Sequence, residues 1–155
     1  MTEPASSLLF GRRLMVVEDD YLVAIEVAGA LEDCGAHIVG MAGTIEDAQA
    51  VIAAEHDRLD GAVLDVNLDG DRVYPVADTL MGLGIPFVFA TGYDLWIIPD
   101  TYAGIPRCEK PIRVATLTRL LAAQITRFAP VAGAAGQALP DIGPSSAISV
   151  SGMPK

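Results

Sequence analysis

Apolar positions along this 155-residue chain fall into two alternating rhythms. Short, nearly continuous apolar runs come at Arg13–Val17, at His37–Ala42, over Ala62, Val63 and Leu64, and over 85–90, and a short fifth strand is predicted at Arg107–Glu109. Runs of that length suit strands buried on both faces, as in a parallel sheet. Between them the spacing changes. Leu22, Ile25, Ala28 and Leu31 recur at near-helical intervals in a helix predicted from Asp20 or Tyr21 to Cys34. Ala48, Val51 and Ile52 stripe a second helix, and a third is predicted over Tyr74–Leu83. Val114, Leu117, Leu120, Leu121, Ile125 and Phe128 mark a last amphipathic helix.

The polar residues between these runs punctuate them. Asp20 is placed to cap the first helix and Gly35 to end it. Thr44, with an acid three residues on at Asp47, opens the second. Pro75 falls in the first turn of the third helix and Gly84 just past its end. Asp69-Gly70-Asp71 reads as a loop, and Pro86 is tolerable only near the start of its strand. The segment from Thr91 to Pro106 is the hardest to read: Leu95 to Ile98 suits a helical turn, but Pro99 and Gly104 argue against a long helix. Residues 1–11 read as a loose leader and 12–128 as one ordered domain. From 129 on, Ala, Gly, Pro and Ser supply 18 of the last 27 residues. Such a tail buries too little apolar surface to offset its ordering entropy, so disorder is expected. Five strands alternating with helices predict an α/β domain, with a central parallel sheet, right-handed crossovers and helices on both faces.

Composition narrows the function classes. Hydrophobic residues make up 52% of the chain and charged residues 19%, enough apolar surface for a sizeable core. The formal net charge is -10, from 20 acidic and 10 basic residues. A chain this acidic, with no prominent Lys/Arg cluster, is not expected to bind nucleic acid directly. The two cysteines, Cys34 and Cys108, lack metal-ligand spacing and read as single buried thiols in a reducing compartment. Arg12-Arg13 follow the short apolar patch at Leu8-Leu9-Phe10, the wrong order for a secretory signal, and no run is long enough for a membrane span. A cytoplasmic protein without membrane association is expected.

The candidate chemistry lies at the strand ends. Glu18 and Asp19 end the first predicted strand, Asp65 the third, Thr91 the fourth and Lys110 the fifth. In an open α/β sheet the ligand crevice lies at the carboxyl ends of the strands, where neighbours are about 4.8 Å apart. Taken singly, each residue has a plainer explanation: the acids as a helix start, Asp65 as a solvated turn residue, Thr91 as a cap, Lys110 as a surface lysine. Their order and spacing as a set are not explained that way. Three carboxylates in one crevice repel, and a hard divalent cation relieves that repulsion. Mg²⁺ takes one or two carboxylates with waters and phosphate oxygens. Asp19 and Asp65 are the expected direct ligands, with Glu18 acting through water and the Asn67 carbonyl adding a backbone oxygen. With Thr91 and Lys110 beside it, Asp65 reads as the nucleophile of a phosphoryl-transfer site.

These residues together resemble the receiver domain of two-component response regulators, over roughly 12–128. The resemblance rests on Glu18-Asp19, Asp65, Thr91 and Lys110-Pro111, and the string Phe89-Ala90-Thr91-Gly92-Tyr93 is similar to the signature of the FATGUY receiver subgroup. It implies a flavodoxin-like (βα)₅ doubly wound fold. It also implies Mg²⁺-dependent phosphorylation of Asp65 by a sensor histidine kinase or histidine phosphotransfer protein, and a cis peptide at Lys110-Pro111. Two features depart from the usual pattern: Glu18 stands where Asp is commoner, and Arg107 where most receivers carry an aromatic switch, for which Tyr93 is the natural substitute. The expected output of a chain read as a stand-alone receiver is protein contact or a phosphate-sink role, with an unidentified downstream partner and homodimerisation left open. Two alternatives stand beside it: a small Asp-nucleophile phosphatase of the haloacid-dehalogenase type, and an interaction module that is never phosphorylated.

Overall fold

The computed structural model describes residues 8–92 and 98–128. The chain divides into a unit of residues 1–125 and a second of 126–155, of which 126–128 are described. In chain order the strands are β1 (Arg13–Val17), β2 (His37–Ala42), β3 (Gly61–Asp65), β4 (Asn67–Leu68), β5 (Asp71–Arg72), β6 (Phe87–Thr91) and β7 (Arg107–Glu109). The helices are α1 (Tyr21–Asp33), α2 (Ile45–Glu55), α3 (Tyr74–Leu83) and α4 (Val114–Phe128). Five strands form one sheet in the order β2-β1-β3-β6-β7, every pair parallel. The chain runs from β1 outward to β2, then returns to place β3 on the other side of β1. The topological switch therefore lies between β1 and β3, and their carboxyl ends open a crevice.

The central strands β3 and β6 are buried at all five positions, which is why their sequences are apolar up to the terminal Asp65 and Thr91. Alternate residues serve opposite faces. Met15, Val17, Ala62, Leu64, Phe87 and Phe89 pack with Ala48 and Ile52 of α2 and with Val76, Ala77 and Leu80 of α3. On the other face, a Cβ at Gly61 would stand 3.3 Å from Ile125 of α4 and from Leu14, so a side chain there would need those neighbours to give by a few tenths of an ångström. The caps are those predicted. Asp20 Oδ1 accepts from Leu22 N and Val23 N at 3.0 and 3.3 Å, and Thr44 Oγ1 from Asp47 N at 3.0 Å. Gly84 closes α3 at φ 72°, in the left-handed region that suits glycine.

The structure departs from the sequence reading in four places. The loop at 69–71 belongs to a two-stranded antiparallel ribbon, β4 with β5, whose turn residues Asp69 and Gly70 have φ 54° and 98°. Positive φ at both positions is the Asp-Gly hairpin turn; strands of two residues are too short for periodicity to reveal. The fourth strand starts at Phe87, after Pro86, and reaches Thr91, where 85–90 had been expected. The described part of the β6–β7 crossover contains a 3-10 turn, Asp100–Tyr102, and no α-helix, so a (βα)₅ chain has four helices among the described residues. Pro99 and Gly104 bracket that turn. The end of the leader is docked: Leu9 is fully buried and Gly11 N donates to Gly35 O at 2.9 Å. Residues 1–7, the 129–155 tail, Tyr93 and Trp96 lie outside the described residues. Among the described residues no helix is long and apolar enough to cross a membrane.

Candidate functional site

The parallel strands deliver four of the predicted side chains to one edge. Glu18 directly follows β1, where its N–H donates to Ala42 O at 2.9 Å and prolongs the pairing with β2. Asp65 is the last residue of β3 and stands in register with Ala90 of β6. Thr91 ends β6, and its carbonyl accepts from Lys110 N at 2.7 Å, which fixes Lys110 just past β7. Glu18 and Asp65 are 5% and 6% exposed, whereas Asp19 faces solvent. Each of the three carboxylates offers an oxygen, and these oxygens lie within 4.8 Å of one another.

Lys110 joins the strand ends. Its Nζ donates to Glu18 Oε1 at 2.8 Å and to Asp65 Oδ2 at 2.9 Å. The peptide bond from Lys110 to Pro111 is cis, as the resemblance implied. The other Asp65 oxygen, Oδ1, accepts from Asn67 N at 3.1 Å, while the Asn67 side chain accepts from Gly70 N at 2.8 Å and secures the ribbon turn. Asn67 thus contributes an amide donor to Asp65 from a rigid hairpin. Thr91 Oγ1 is buried and has no hydrogen-bond partner among the described residues. A buried hydroxyl without a partner costs about 1–3 kcal/mol, and this one sits at the strand end next to Asp65.

The electrostatics follow from this packing. Burial raises the Glu18 carboxyl above its ordinary value of 4.5; the Lys110 hydrogen bond pulls it down and neighbouring Asp65 pushes it up again. Asp19 is also raised above 3.8, by burial first and then by Glu18. Burial opposes the Lys110 charge, but its bonds to Glu18 and Asp65 outweigh that and raise its pKa above 10.5. A raised carboxyl pKa means the folded state holds the proton more tightly, so this contribution to stability is full below the unfolded value and lost as pH rises through the folded one. The Lys110 contribution is constant below 10.5 and adds no slope at neutral pH. In divalent-free buffer, wild type is therefore expected to lose stability relative to Glu18→Gln as pH rises from about 4.5 toward neutrality. Urea midpoints across that range check the sign; a difference that grows in favour of wild type contradicts it.

A scan against protein-family models and a search of curated proteins found no match. Solved structures do match. The chain is similar to the response regulator PhyR from Brucella abortus at 23% identity and TM-score 0.67, covering 79% of this chain and 51% of that one. It thus spans about half the length of that protein. It is similar to the PhyR REC domain from Erythrobacter litoralis at 21% identity and TM-score 0.68, covering 79% of this chain and 97% of that one. It is also similar to SdrG from Sphingomonas melonis Fr1 at 34% identity and TM-score 0.61, covering 74% of this chain and 98% of SdrG. The chain belongs to the response-regulator receiver domains.

In this receiver the five-stranded order and the acidic edge follow from one topology, and Glu18, Asp19, Asp65, Asn67, Thr91 and Lys110 all lie along that edge. Tyr93, expected as the switch, falls outside the described residues. Sequence reasoning overlooked a group behind the edge. Tyr102 stacks on Tyr74 and donates its hydroxyl to Asp78. The clue available was the second of two tyrosines in a crossover broken by Pro and Gly, and nothing local pointed to its acceptor on α3.

Proposed function

We propose that this receiver accepts a phosphoryl group on Asp65, with Mg²⁺, from a phosphohistidine of a sensor histidine kinase or a histidine phosphotransfer protein. The observation that carries this reading is Lys110 Nζ at 2.9 Å from Asp65 Oδ2, with the partnerless Thr91 hydroxyl at the adjacent strand end. In the transfer, an Asp65 oxygen forms a bond to phosphorus as the N–P bond of the phosphohistidine breaks. The electron pair stays on the imidazole nitrogen, which takes up a proton from solvent. An ammonium has three donors. Lys110 uses two on Glu18 and Asp65, and the third is free for a phosphoryl oxygen. Thr91 supplies a hydroxyl donor whose partner arrives with the phosphoryl group.

The donor set suits a hard divalent cation. Three carboxylates against one ammonium leave an excess of negative charge, and all three present oxygen. Asp19 and Asp65 would hold Mg²⁺ directly, Glu18 through water and Asn67 through its carbonyl. When bound, the ion would neutralise charge on the phosphoryl oxygens. Asp65 is a single-use acceptor in this reading, phosphorylated once and slowly released, with output by protein contact or by draining phosphate from a relay. The string Phe89 to Tyr93 supports the FATGUY subgroup and Tyr93 as a responding residue.

Incubation with acetyl phosphate and Mg²⁺, followed by intact-mass analysis, is expected to show one added phosphoryl group per chain, and none when EDTA replaces Mg²⁺. An unchanged mass in both arms refutes the reading. Thr91→Val is nearly isosteric and removes the partnerless hydroxyl. It is expected to leave resting stability unchanged or raise it by about 1 kcal/mol, while blunting any phosphorylation-dependent change in hydrogen exchange. A clear loss of resting stability would show that the hydroxyl already has a partner.

A further inference from the structure

The chemistry proposed at Asp65 leaves unused the aromatic cluster behind the sheet edge. Tyr102, from the 3-10 turn in the β6–β7 crossover, is 5% exposed. Its ring stacks on Tyr74 at the start of α3, with centroids 4.9 Å apart and planes 11° from parallel. Phe89 of β6 meets the same ring edge-on at 5.9 Å. The Tyr102 hydroxyl donates to Asp78 Oδ1, farther along α3. Burial, then the neighbouring carboxylate, pushes the phenol up to about 12, so the hydroxyl stays a donor at physiological pH.

Three observations tie this cluster to the site. Phe89 and Thr91 are two residues apart on β6, so their side chains lie on the same face of the sheet. The backbone bonds of the turn, Tyr102 N to Pro99 O, Ala103 N to Asp100 O and Ile105 N to Tyr102 O, are local to the crossover. They hold its shape, while its position against the sheet and α3 is set by Ile98 and the Tyr102 ring in the core, by Phe89 N donating to Pro106 O at 3.0 Å, and by the Tyr102 hydroxyl. Asp78 is solvent-exposed, so water can replace the phenol as its partner.

We propose that the Tyr102–Asp78 hydrogen bond is a latch that holds residues 98–106 of the β6–β7 crossover against α3 while Asp65 is unphosphorylated. It opens when Thr91 turns to the phosphoryl group. This rests on Asp65 being the phosphoacceptor. A bond that favours one conformer depletes the other, and coupling between two sites is reciprocal. Cutting the latch therefore raises the population of the open conformer, by about tenfold for a hydrogen bond to a charged group, and uptake that starts from that conformer speeds up in proportion.

Tyr102→Phe keeps the ring and removes the hydroxyl; Asp78→Ala removes the acceptor from an exposed helical position. The test uses the full chain with acetyl phosphate and Mg²⁺. It reads the rate of phosphoryl uptake by intact mass and hydrogen exchange over 98–106 before and after, with circular dichroism as a check on folding. Both variants are expected to take up phosphoryl about tenfold faster than wild type, and the double variant no faster than either single. The rise in exchange that wild type shows on phosphorylation should already be present in the unphosphorylated variants. Uptake at or below the wild-type rate in both folded variants, or a wild-type exchange difference, overturns the latch and leaves Asp65 as acceptor. Failure of wild type to take up phosphoryl at all overturns both.

Discussion

Asp65→Asn is expected to take up no phosphoryl group from acetyl phosphate and Mg²⁺, while wild type gains one per chain. The substitution changes little but the nucleophile. An Asn side chain still offers a carbonyl oxygen to Asn67 N, the donor now 3.1 Å from Oδ1. What is lost is a carboxylate oxygen able to bond phosphorus, together with one charged acceptor of Lys110. Lys110 keeps Glu18 at 2.8 Å, and one of three crowded negative charges is removed. Stability in divalent-free buffer should therefore change by no more than about 1 kcal/mol. That near-neutrality makes the mass result interpretable, because the variant remains folded. Uptake by the Asn variant at the wild-type rate would remove Asp65 from its assigned role.

Lys110→Met should be damaging in both stability and rate. Glu18 and Asp65 are nearly buried and share one ammonium through bonds of 2.8 and 2.9 Å. Removing that cation leaves two buried carboxylates facing each other. Breaking a fully buried pair costs about 3–5 kcal/mol. The Lys110 side chain is 30% exposed, so water reaches the gap, and about 2 kcal/mol is the expected loss at pH 7 in EDTA. Phosphoryl uptake should fall about a hundredfold with the loss of a positive charge beside the reacting oxygen. The two losses are separable: Mg²⁺ should restore much of the stability, since it also neutralises the carboxylates, and little of the rate. Lowering the pH should shrink the stability deficit as Glu18 takes up a proton. Urea unfolding with EDTA or Mg²⁺, paired with uptake kinetics, tests both parts. A variant as stable and as reactive as wild type would leave Lys110 without a role at this edge.

The site was legible in outline because its residues occupy strand ends. A strand buried on both faces carries an unbroken apolar run, so the first polar residue after the run marks where the sheet edge meets solvent. That logic reaches Glu18 and Asp65; Lys110 follows a strand, Arg107–Glu109, that is no apolar run, and only its place in the set pointed to it. The same logic could not have located Tyr102, whose acceptor Asp78 lies 24 residues away on a helix with an unremarkable pattern. Nor could it resolve β4 and β5, which are too short to display a period. The Asp-Gly pair at their turn is a hairpin signal, but with two residues on either side it looks the same in sequence as an ordinary loop.

The amino-acid pattern alone determined the elements, their caps and the polar residues at the strand tips, because each of these depends on neighbours within a few positions. Tertiary structure alone decided which tips meet. Lys110 bridges partners 92 and 45 residues away, and that bridge exists only because the sheet order places β1 beside β3. No local period encodes strand order, since an apolar run packs equally well beside any other. The partnerless Thr91 hydroxyl and the Tyr102 bond to α3 are likewise properties of the packed sheet: each depends on which surfaces exclude water once the strands are assembled.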